Sequence, residues 1–268
     1  MGSGRVYRRA RSLHNSRRDA GATFMPRGTK SETQCRREVC AAGRCLRALG
    51  FVPAAAGNLS VRLPGGRILA TPSGVPKGEL RPSELIAVRS AGAGERPRGG
   101  KRNGTGEAAA RVSSEILMHL RIYALRPEVR AVCHAHPPVA TGFACAGRAL
   151  ERAVLGEAAV LLGPVPLAPF GAPGTAELAD SIAPFVPGAD AILLANHGVV
   201  SYGPDLRTAL LRMELVEQCA RVTLVAELAG GARLLSRAQV EALVASRPRY
   251  GLAPWPANAR RWLAAEDV

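Results

Sequence analysis

The sequence has few aromatic residues and no long apolar run. Aromatic side chains make up 4% of the 268 residues, and no segment approaches the roughly 18 consecutive apolar residues of a membrane-spanning helix. The six cysteines contain no C-x-x-C pair, which is the spacing typical of zinc ribbons and thioredoxin-like motifs. We therefore expect a soluble, cytoplasmic protein with reduced and mostly buried thiols, and no membrane partner.

Acidic residues are also scarce, with 21 of them against 36 lysines and arginines. Residues 1–30 carry eight basic residues and one acid, and residues 89–106 carry five and one. Both segments are rich in glycine, serine and arginine, so we predict a disordered basic tail and a mobile loop. Only Tyr7 and Phe24 accompany them, too few for a row of stacking surfaces, so nucleic acid is not an expected partner. Alternatively, the basic tail over residues 1–30 is an organelle transit peptide, or it is an extension that precedes the true start of the protein at Met25.

The histidines are few, but two of them have an informative spacing. His134 and His136 stand two residues apart in a short apolar, strand-like run that ends at paired prolines. Since successive side chains of a strand point to opposite faces, both imidazoles point one way while Cys133 and Ala135 point the other. Two imidazoles on one face can bind one metal ion, although each is also compatible with an ordinary packed or surface histidine.

Hydrophobic periodicity predicts alternating strands and helices. Strands are predicted over 59–63, 67–70, 85–88, 132–136 and 191–195. Helices are predicted over 31–50, 116–123, 140–146, 175–185, 204–228 and 236–246. No repeat or linker divides these elements, so a single α/β domain is favoured. A third histidine, His197, follows the last strand, where a turn can expose it.

Three small-residue pairs and one carboxylate lie at turns. Gly57-Asn58 precedes the predicted hairpin and Ser73-Gly74 follows it, and backbone amides at such turns can hold a phosphate, although most such turns are only turns. Ser113-Ser114 stands at the start of a predicted helix, where free amides favour an anion. Glu115 follows, either as a functional carboxylate or as a complement to the helix dipole. His119, one turn on, either supports the site or is simply packed.

In their order along the chain, these segments resemble the class II aldolase/adducin family. The resemblance covers about residues 31–250, between the basic tail and a C-terminal tail over 251–268. The matching segments are Gly57–Arg62, Thr71–Pro76, Ser113–Glu115 with His119, His134–Pro137, Phe170–Leu178 and Asn196–Val199.

The resemblance implies a fold, a ligand set and an assembly. The fold is a single three-layer domain with a central, mainly antiparallel sheet flanked by helices, and the assembly is a homotetramer with the site near a subunit interface. Residues implied to bind a divalent ion, zinc or else Mn, Fe or Co, are His134, His136 and His197. Glu115 is the implied acid/base and ligates the metal when no substrate is bound, and Tyr250 is an implied catalytic tail residue. Residues implied to bind the substrate phosphate are Gly57, Asn58, Ser73, Gly74, Ser113 and Ser114.

On this basis we expect a zinc-dependent aldolase that cleaves a short ketose 1-phosphate into dihydroxyacetone phosphate and an aldehyde. The metal would act as a Lewis acid that stabilises an enediolate, while Glu115 moves the proton. Alternatives are another enzyme of the same scaffold (an epimerase, a methylthioribulose-phosphate dehydratase, a decarboxylase or an oxygenase) or a non-catalytic adducin-like binding module. Two departures from the family pattern stand out. Val112 stands where the family usually has a proline. Residues 154–159 contain no tyrosine, whereas the aldolases of the family have a tyrosine in this segment that serves as proton donor.

Overall fold

The computed structural model describes residues 30–89 and 111–252, in which seven strands form one sheet. The strands are β1 Asn58–Arg62, β2 Arg67–Ala70, β3 Ile86–Arg89, β4 Ala131–Ala135, β5 Leu167–Ala168, β6 Ala191–Leu194 and β7 Gly198–Gly203. Their order across the sheet is β3-β2-β1-β4-β7-β6-β5. All neighbours are antiparallel except β5 and β6, so the sheet is mainly antiparallel, as predicted.

Helices lie on both faces of this sheet. They are α1 Glu32–Ala48, α2 Ile116–Leu125, α3 Pro138–Cys145, α4 Gly156–Leu161, α5 Ala176–Ile182, α6 Leu206–Leu228 and α7 Arg237–Ala245. The helix starts follow the predicted caps at two places. Ser31 Oγ accepts from the amide of Gln34 at 3.2 Å, and Ser236 forms a complete capping box with Gln239.

Alternation along the strands creates two hydrophobic cores. Leu59 and Cys133 point to the face covered by α1, α3 and α6, whereas Val132 and Ile192 point to the face covered by α2 and α5. The helix–sheet–helix layering confirms the predicted three-layer α/β domain. It also confirms that Cys133 and Ala135 face away from the histidines, because both belong to the first core.

Some elements and core positions differ from the prediction. The strand β7, the helix α4 and the two-residue strand β5 have no predicted counterpart. All six residues of β7 are buried, so this strand lacks the alternation that marks a half-exposed one. Helical spacing places Leu49 and Leu224 in line with the apolar residues of the predicted helices 31–50 and 204–228, yet each is 39% exposed. Leu49 is the cap residue just after α1, where the chain turns away from the core.

Several predictions lie outside the described residues. These are the disordered character of residues 1–29, the mobile loop over 90–106, and the tail beyond Leu252. The boundaries of the domain at 31 and 250 stay predictions. No helix in the described part of the chain is long and apolar enough to cross a membrane. All six cysteines lie within the described ranges as free thiols, and four of them are buried.

Candidate active site

Three histidines from neighbouring parts of the sheet meet at one end of β4. His134 lies on β4, between Asn58 of β1 and Val200 of β7. His136 follows the end of β4, and His197 lies in the turn between β6 and β7. The possible ligand atoms of the three imidazoles all lie within 4.8 Å of one another. The structure thus brings together all three histidines that the sequence predicts as metal ligands.

Two local features of the β6–β7 turn place His197 and make room for His136. Asn196 has a φ of 56°, a left-handed conformation that asparagine adopts more readily than most residues. Gly198 packs against the other histidine segment, and a Cβ there would lie 2.6 Å from Cδ2 of His136 and 2.7 Å from the carbonyl oxygen of Ala135. Only glycine allows this approach.

The imidazole of His134 is held in one orientation. It is fully buried, and its Nδ1 donates to the carbonyl oxygen of Val199 at 2.9 Å. In the neutral imidazole, Nε2 therefore keeps its lone pair, which is the arrangement usual for a metal-bound histidine. Burial lowers the pKa of His134, but the neighbouring Glu115 carboxylate outweighs burial and raises that pKa overall. Burial, helped by the two other histidines, lowers the pKa of His136 to about 3. This imidazole is therefore neutral near pH 7, as a ligand must be.

Glu115 completes the cluster. It is the N-cap residue of α2, yet its side chain makes no hydrogen bond to the helix amides. Instead Oε1 lies 3.0 Å from Nε2 of His197 and Oε2 lies 3.3 Å from Nε2 of His134. Burial by itself would raise the pKa of Glu115, but the contacts with these two histidines outweigh it and hold that pKa below the ordinary value. The side chain is therefore a carboxylate near neutral pH.

The donor set fits a divalent metal ion. The Nε2 atoms of His134 and His136 lie 3.1 Å apart, close to the roughly 3.3 Å expected for two nitrogens each about 2.0–2.1 Å from a tetrahedral zinc ion. Glu115 Oε1 is buried, lies 3.0 Å from Nε2 of His197 and has no hydrogen bond of good geometry among the described residues. An anionic oxygen without a donor beside three imidazoles is the chemistry that a cation satisfies.

The structure also brings the three predicted phosphate-binding pairs to one place. The amide of Ser73 donates to the carbonyl oxygen of Arg111 at 2.8 Å, and the amide of Ser113 donates to the carbonyl oxygen of Thr71 at 3.1 Å. These bonds pair the two segments and place Ser73-Gly74 beside Ser113-Ser114. Thr71 Oγ1 in turn accepts from the amide of Leu59 at 3.2 Å. This bond connects the two serine-containing segments to the start of β1.

The third pair, Gly57-Asn58, connects this region with the histidines. Gly57 has a φ of 72°, and a Cβ there would lie 2.8 Å from the carbonyl oxygen of His134. The Nδ2 atom of Asn58 donates to Oε2 of Glu115 at 2.7 Å. We refer to the six residues as the cradle: Gly57, Asn58, Ser73, Gly74, Ser113 and Ser114. Ser73, Gly74 and Ser114 are exposed, so the cradle is open to solvent on one side.

Two further buried polar residues lie close to these groups. His119 packs behind Glu115, where its Nδ1 lies 2.7 Å from Oγ of Ser60, and burial lowers its pKa to about 3. No described contact joins it to the three histidines. Lys77 is missing from the predicted site, although it is 1% exposed and lies directly behind the cradle. The only local signal for it is a single lysine three residues after the Ser73-Gly74 turn.

Tyr250 lies apart from the histidines in this single copy. It ends a short 3-10 helix that follows α7 and is 65% exposed. Within the described ranges it makes no hydrogen bond to a cradle residue or to Glu115. The segment 154–159 is the one in which the aldolases of the family have their tyrosine. Its residues 156–159 belong to α4.

Comparisons with known proteins show which family and fold the chain is similar to. The family model described as Class II Aldolase and Adducin N-terminal domain matches residues 37–224. A 3-oxo-tetronate 4-phosphate decarboxylase of Escherichia coli K12 is 33% identical over 183 residues, which cover 66% of this chain and 79% of that protein. A 5-methylthioribulose-1-phosphate/5-deoxyribulose-1-phosphate aldolase of Rhodospirillum rubrum is 35% identical over 190 residues, covering 69% and 80%. A solved L-fuculose 1-phosphate aldolase matches with a TM-score of 0.71 at 28% identity, covering 84% of this chain and 99% of that one.

Proposed function

Because this chain belongs to the class II aldolase and adducin family, we propose that it is a zinc-dependent aldolase acting on a short ketose 1-phosphate. The reaction would yield dihydroxyacetone phosphate and an aldehyde. The observation that carries this proposal is the convergence of three imidazoles and the Glu115 carboxylate beside the cradle. An adducin-like binding module would have no use for this donor set.

The metal ligands in this proposal are His134, His136 and His197. A divalent ion bound there supplies a Lewis acid that draws electron density from the oxygens of the substrate. The chain's own contribution is to hold the ligands ready, and the bond from His134 to the carbonyl of Val199 fixes which nitrogen faces the ion. Zinc suits three imidazoles, and Mn, Fe or Co can also use them.

Glu115 is the proposed acid/base. When the carbon–carbon bond breaks, its electron pair stays on the fragment that becomes dihydroxyacetone phosphate, and the hydroxyl of the other fragment loses its proton to become the aldehyde carbonyl. One proton must therefore leave that hydroxyl, and one must reach the carbon that carried the bond. Asn58 donates to Oε2, while Oε1 has no hydrogen-bond partner and is the oxygen free to carry the proton. The carboxylate also touches two of the histidines, consistent with a group that leaves the metal when substrate arrives.

The cradle would bind the phosphate at the end of the substrate that does not react. The amides of Ser73 and Ser113 are already paired within the chain, so the neutral donors would be the serine hydroxyls and the remaining amides of the cradle. The hydrogen bond from Asn58 to Glu115 places the cradle next to the acid/base. Anchoring the phosphate in this way would fix the position of the reacting carbons and so contribute to the rate through orientation.

A decarboxylase is the second candidate, and one observation favours it. No tyrosine is present in residues 154–159, where the aldolase of the family has the tyrosine that exchanges a proton with the oxygen of the aldehyde fragment and accepts that proton in the cleavage direction. Loss of CO2 from a 3-oxo-tetronate 4-phosphate forms no aldehyde, needs no such residue and also leaves dihydroxyacetone phosphate. The relative from Escherichia coli K12 is a 3-oxo-tetronate 4-phosphate decarboxylase. Both reactions use the same metal, cradle and proton-transfer step.

The test supplies the purified enzyme with a panel of ketose 1-phosphates and, separately, with 3-oxo-tetronate 4-phosphate. Release of dihydroxyacetone phosphate together with an aldehyde supports the aldolase. Release with CO2 and none from the ketose phosphates replaces it by the decarboxylase. A metal-loaded protein that releases neither product contradicts both.

We also propose that the protein is a cytoplasmic homotetramer, which the family resemblance supports. Tyr250 is exposed and has no contact with Glu115 in one copy, so a catalytic role for it would require a neighbouring copy to present it to the site.

A further inference from the structure

Lys77 carries a buried positive charge that contacts no carboxylate in the described part of the chain. Its side chain is 1% exposed. The Nζ atom donates to the carbonyl oxygens of Val75 at 2.6 Å and Ala55 at 3.0 Å. No carboxylate of residues 30–89 or 111–252 forms a salt bridge with it. A buried ammonium without an anion is costly, since carbonyl dipoles replace only part of the lost hydration.

The position of this charge is specific. Ala55 stands two residues before Gly57, and Val75 directly follows Gly74, so the ammonium connects the two turns that contribute four of the six cradle residues. Burial lowers the pKa of Lys77 to about 8, and the Glu115 carboxylate opposes this effect in part.

The backbone of Lys77 is fixed from behind. Lys77 begins a 3-10 helix, Lys77–Glu79, that is pressed against α1. A Cβ at Gly43 of α1 would lie 2.2 Å from the carbonyl oxygen of Lys77, and a Cβ at Gly78 would lie 2.8 Å from Cγ of Arg47. A glycine within a helix is less favourable than alanine, so this close approach explains why Gly43 stands in α1. The packing aims the lysine side chain at the cradle turns.

We propose that Lys77 supplies the positive charge of the anion site formed by the cradle, and that the ligand completing its environment is a phosphate monoester. The neutral donors of the cradle would bind the phosphate oxygens, while Lys77 would attract the dianion from behind and hold the two turns together. This inference rests on the phosphate end of the proposed function and not on which bond the enzyme breaks.

The test is calorimetric titration of the metal-loaded enzyme with inorganic phosphate. Lys77→Met removes the charge but keeps the length of the side chain, and we expect binding at least about tenfold weaker, as for the loss of a charge-assisted contact. Lys30→Met is the matched control, because it makes the same charge change at a partly exposed residue paired with Glu38. We expect it to leave binding unchanged.

Charge and shape are separated by Lys77→Arg, which keeps the charge in a larger group. Tighter phosphate binding by this variant than by Lys77→Met supports the proposal. Equal loss in both variants indicates that only the packing matters and overturns it, as does binding by Lys77→Met within twofold of the original enzyme. Failure of the original enzyme to bind phosphate also overturns it. If phosphate binds as expected but no substrate is cleaved, the proposed reaction is wrong while the role of Lys77 stands.

A second measurement needs no variant at position 77. The chain contains only three lysines, Lys30, Lys77 and Lys101, so protein labelled with 15N at the lysine Nζ gives three signals. Those of Lys30 and Lys101 are assigned by replacing each with methionine. We expect the remaining signal to shift on addition of phosphate with the affinity found by calorimetry. A signal that does not move contradicts the proposal.

Discussion

Gly198 lies so close to His136 that a Cβ on the glycine would come within 2.6 Å of the imidazole. This contact lets the β6–β7 turn bring His197 up to His134 on β4 and to His136 just after that strand. We predict that Gly198→Ala displaces His136 and weakens metal binding by roughly 10–100-fold, the usual effect of disturbing the support of a ligand. Metal affinity is measured by competition with a chromogenic chelator.

The control for this variant is Gly142→Ala. Gly142 lies in α3 with open space around the position of a Cβ, so alanine there should leave the affinity unchanged and slightly favour the helix. Equal affinity in both variants would show that the close approach of Gly198 has no role in the site.

Asn58 offers a test of the acid/base. Replacing it by aspartate removes the donor to Oε2 of Glu115 and puts a second negative charge beside it. A like charge disfavours ionisation and raises a carboxyl pKa, so the acidic limb of the pH dependence of kcat/KM should move to higher pH. The rate at its optimum should also fall by about 10–100-fold. The exposed change Gln218→Glu serves as control, and an unshifted profile in Asn58→Asp would argue against Glu115 as the group that titrates.

Glu217 stabilises the helix that follows the metal ligands. α3 has no side-chain cap of its own, and the buried Glu217 of α6 accepts from its first amides, at 3.1 Å from Val139 and 2.9 Å from Ala140. We predict that Glu217→Ala lowers the free energy of unfolding by about 1.5–3 kcal/mol, the usual value for hydrogen bonds to a charged group. Urea denaturation measures it, with Glu214→Ala on the same helix as the reference. An equal loss of unfolding free energy in the two variants would show that Glu217 does not stabilise the start of α3.

Lys77 predicts a pH dependence of stability. Burial lowers its pKa to about 8 in the folded protein, from an ordinary value of 10.5. The unfolded chain therefore holds the proton more tightly, and the folded state bears a penalty that is complete below pH 8 and disappears as the pH rises towards 10.5. Relative to Lys77→Met, the melting temperature of the original protein should rise between pH 7 and pH 9.5. A difference that stays constant over this range would show that Lys77 titrates normally.

Sequence patterns were sufficient for the parts of the site that depend on local spacing. The two-residue spacing of His134 and His136 in an apolar strand predicts their shared face, and the order of the family segments predicts the sheet. The strand β7 could not be recognised in this way, because its residues are buried on both faces and its ends are glycines.

The features that sequence patterns missed depend on contacts between distant segments. Gly198 matters because it meets His136, and Lys77 matters because α1 presents Gly43 to its backbone. Neither contact has a local signature. The position of Glu115 shows the same limit, since its sequence context suits a residue that complements a helix dipole, whereas the folded chain turns its side chain towards His134 and His197.

The central claim is that three histidines hold one metal ion, and metal analysis by plasma mass spectrometry tests it most directly. The original protein, His134→Ala and His119→Gln are each loaded with zinc, desalted and compared. We predict about one equivalent of zinc in the original protein and in His119→Gln, whose histidine lies outside the cluster, and almost none in His134→Ala. An original protein without bound metal, or a His134→Ala variant that retains a full equivalent, would contradict the account.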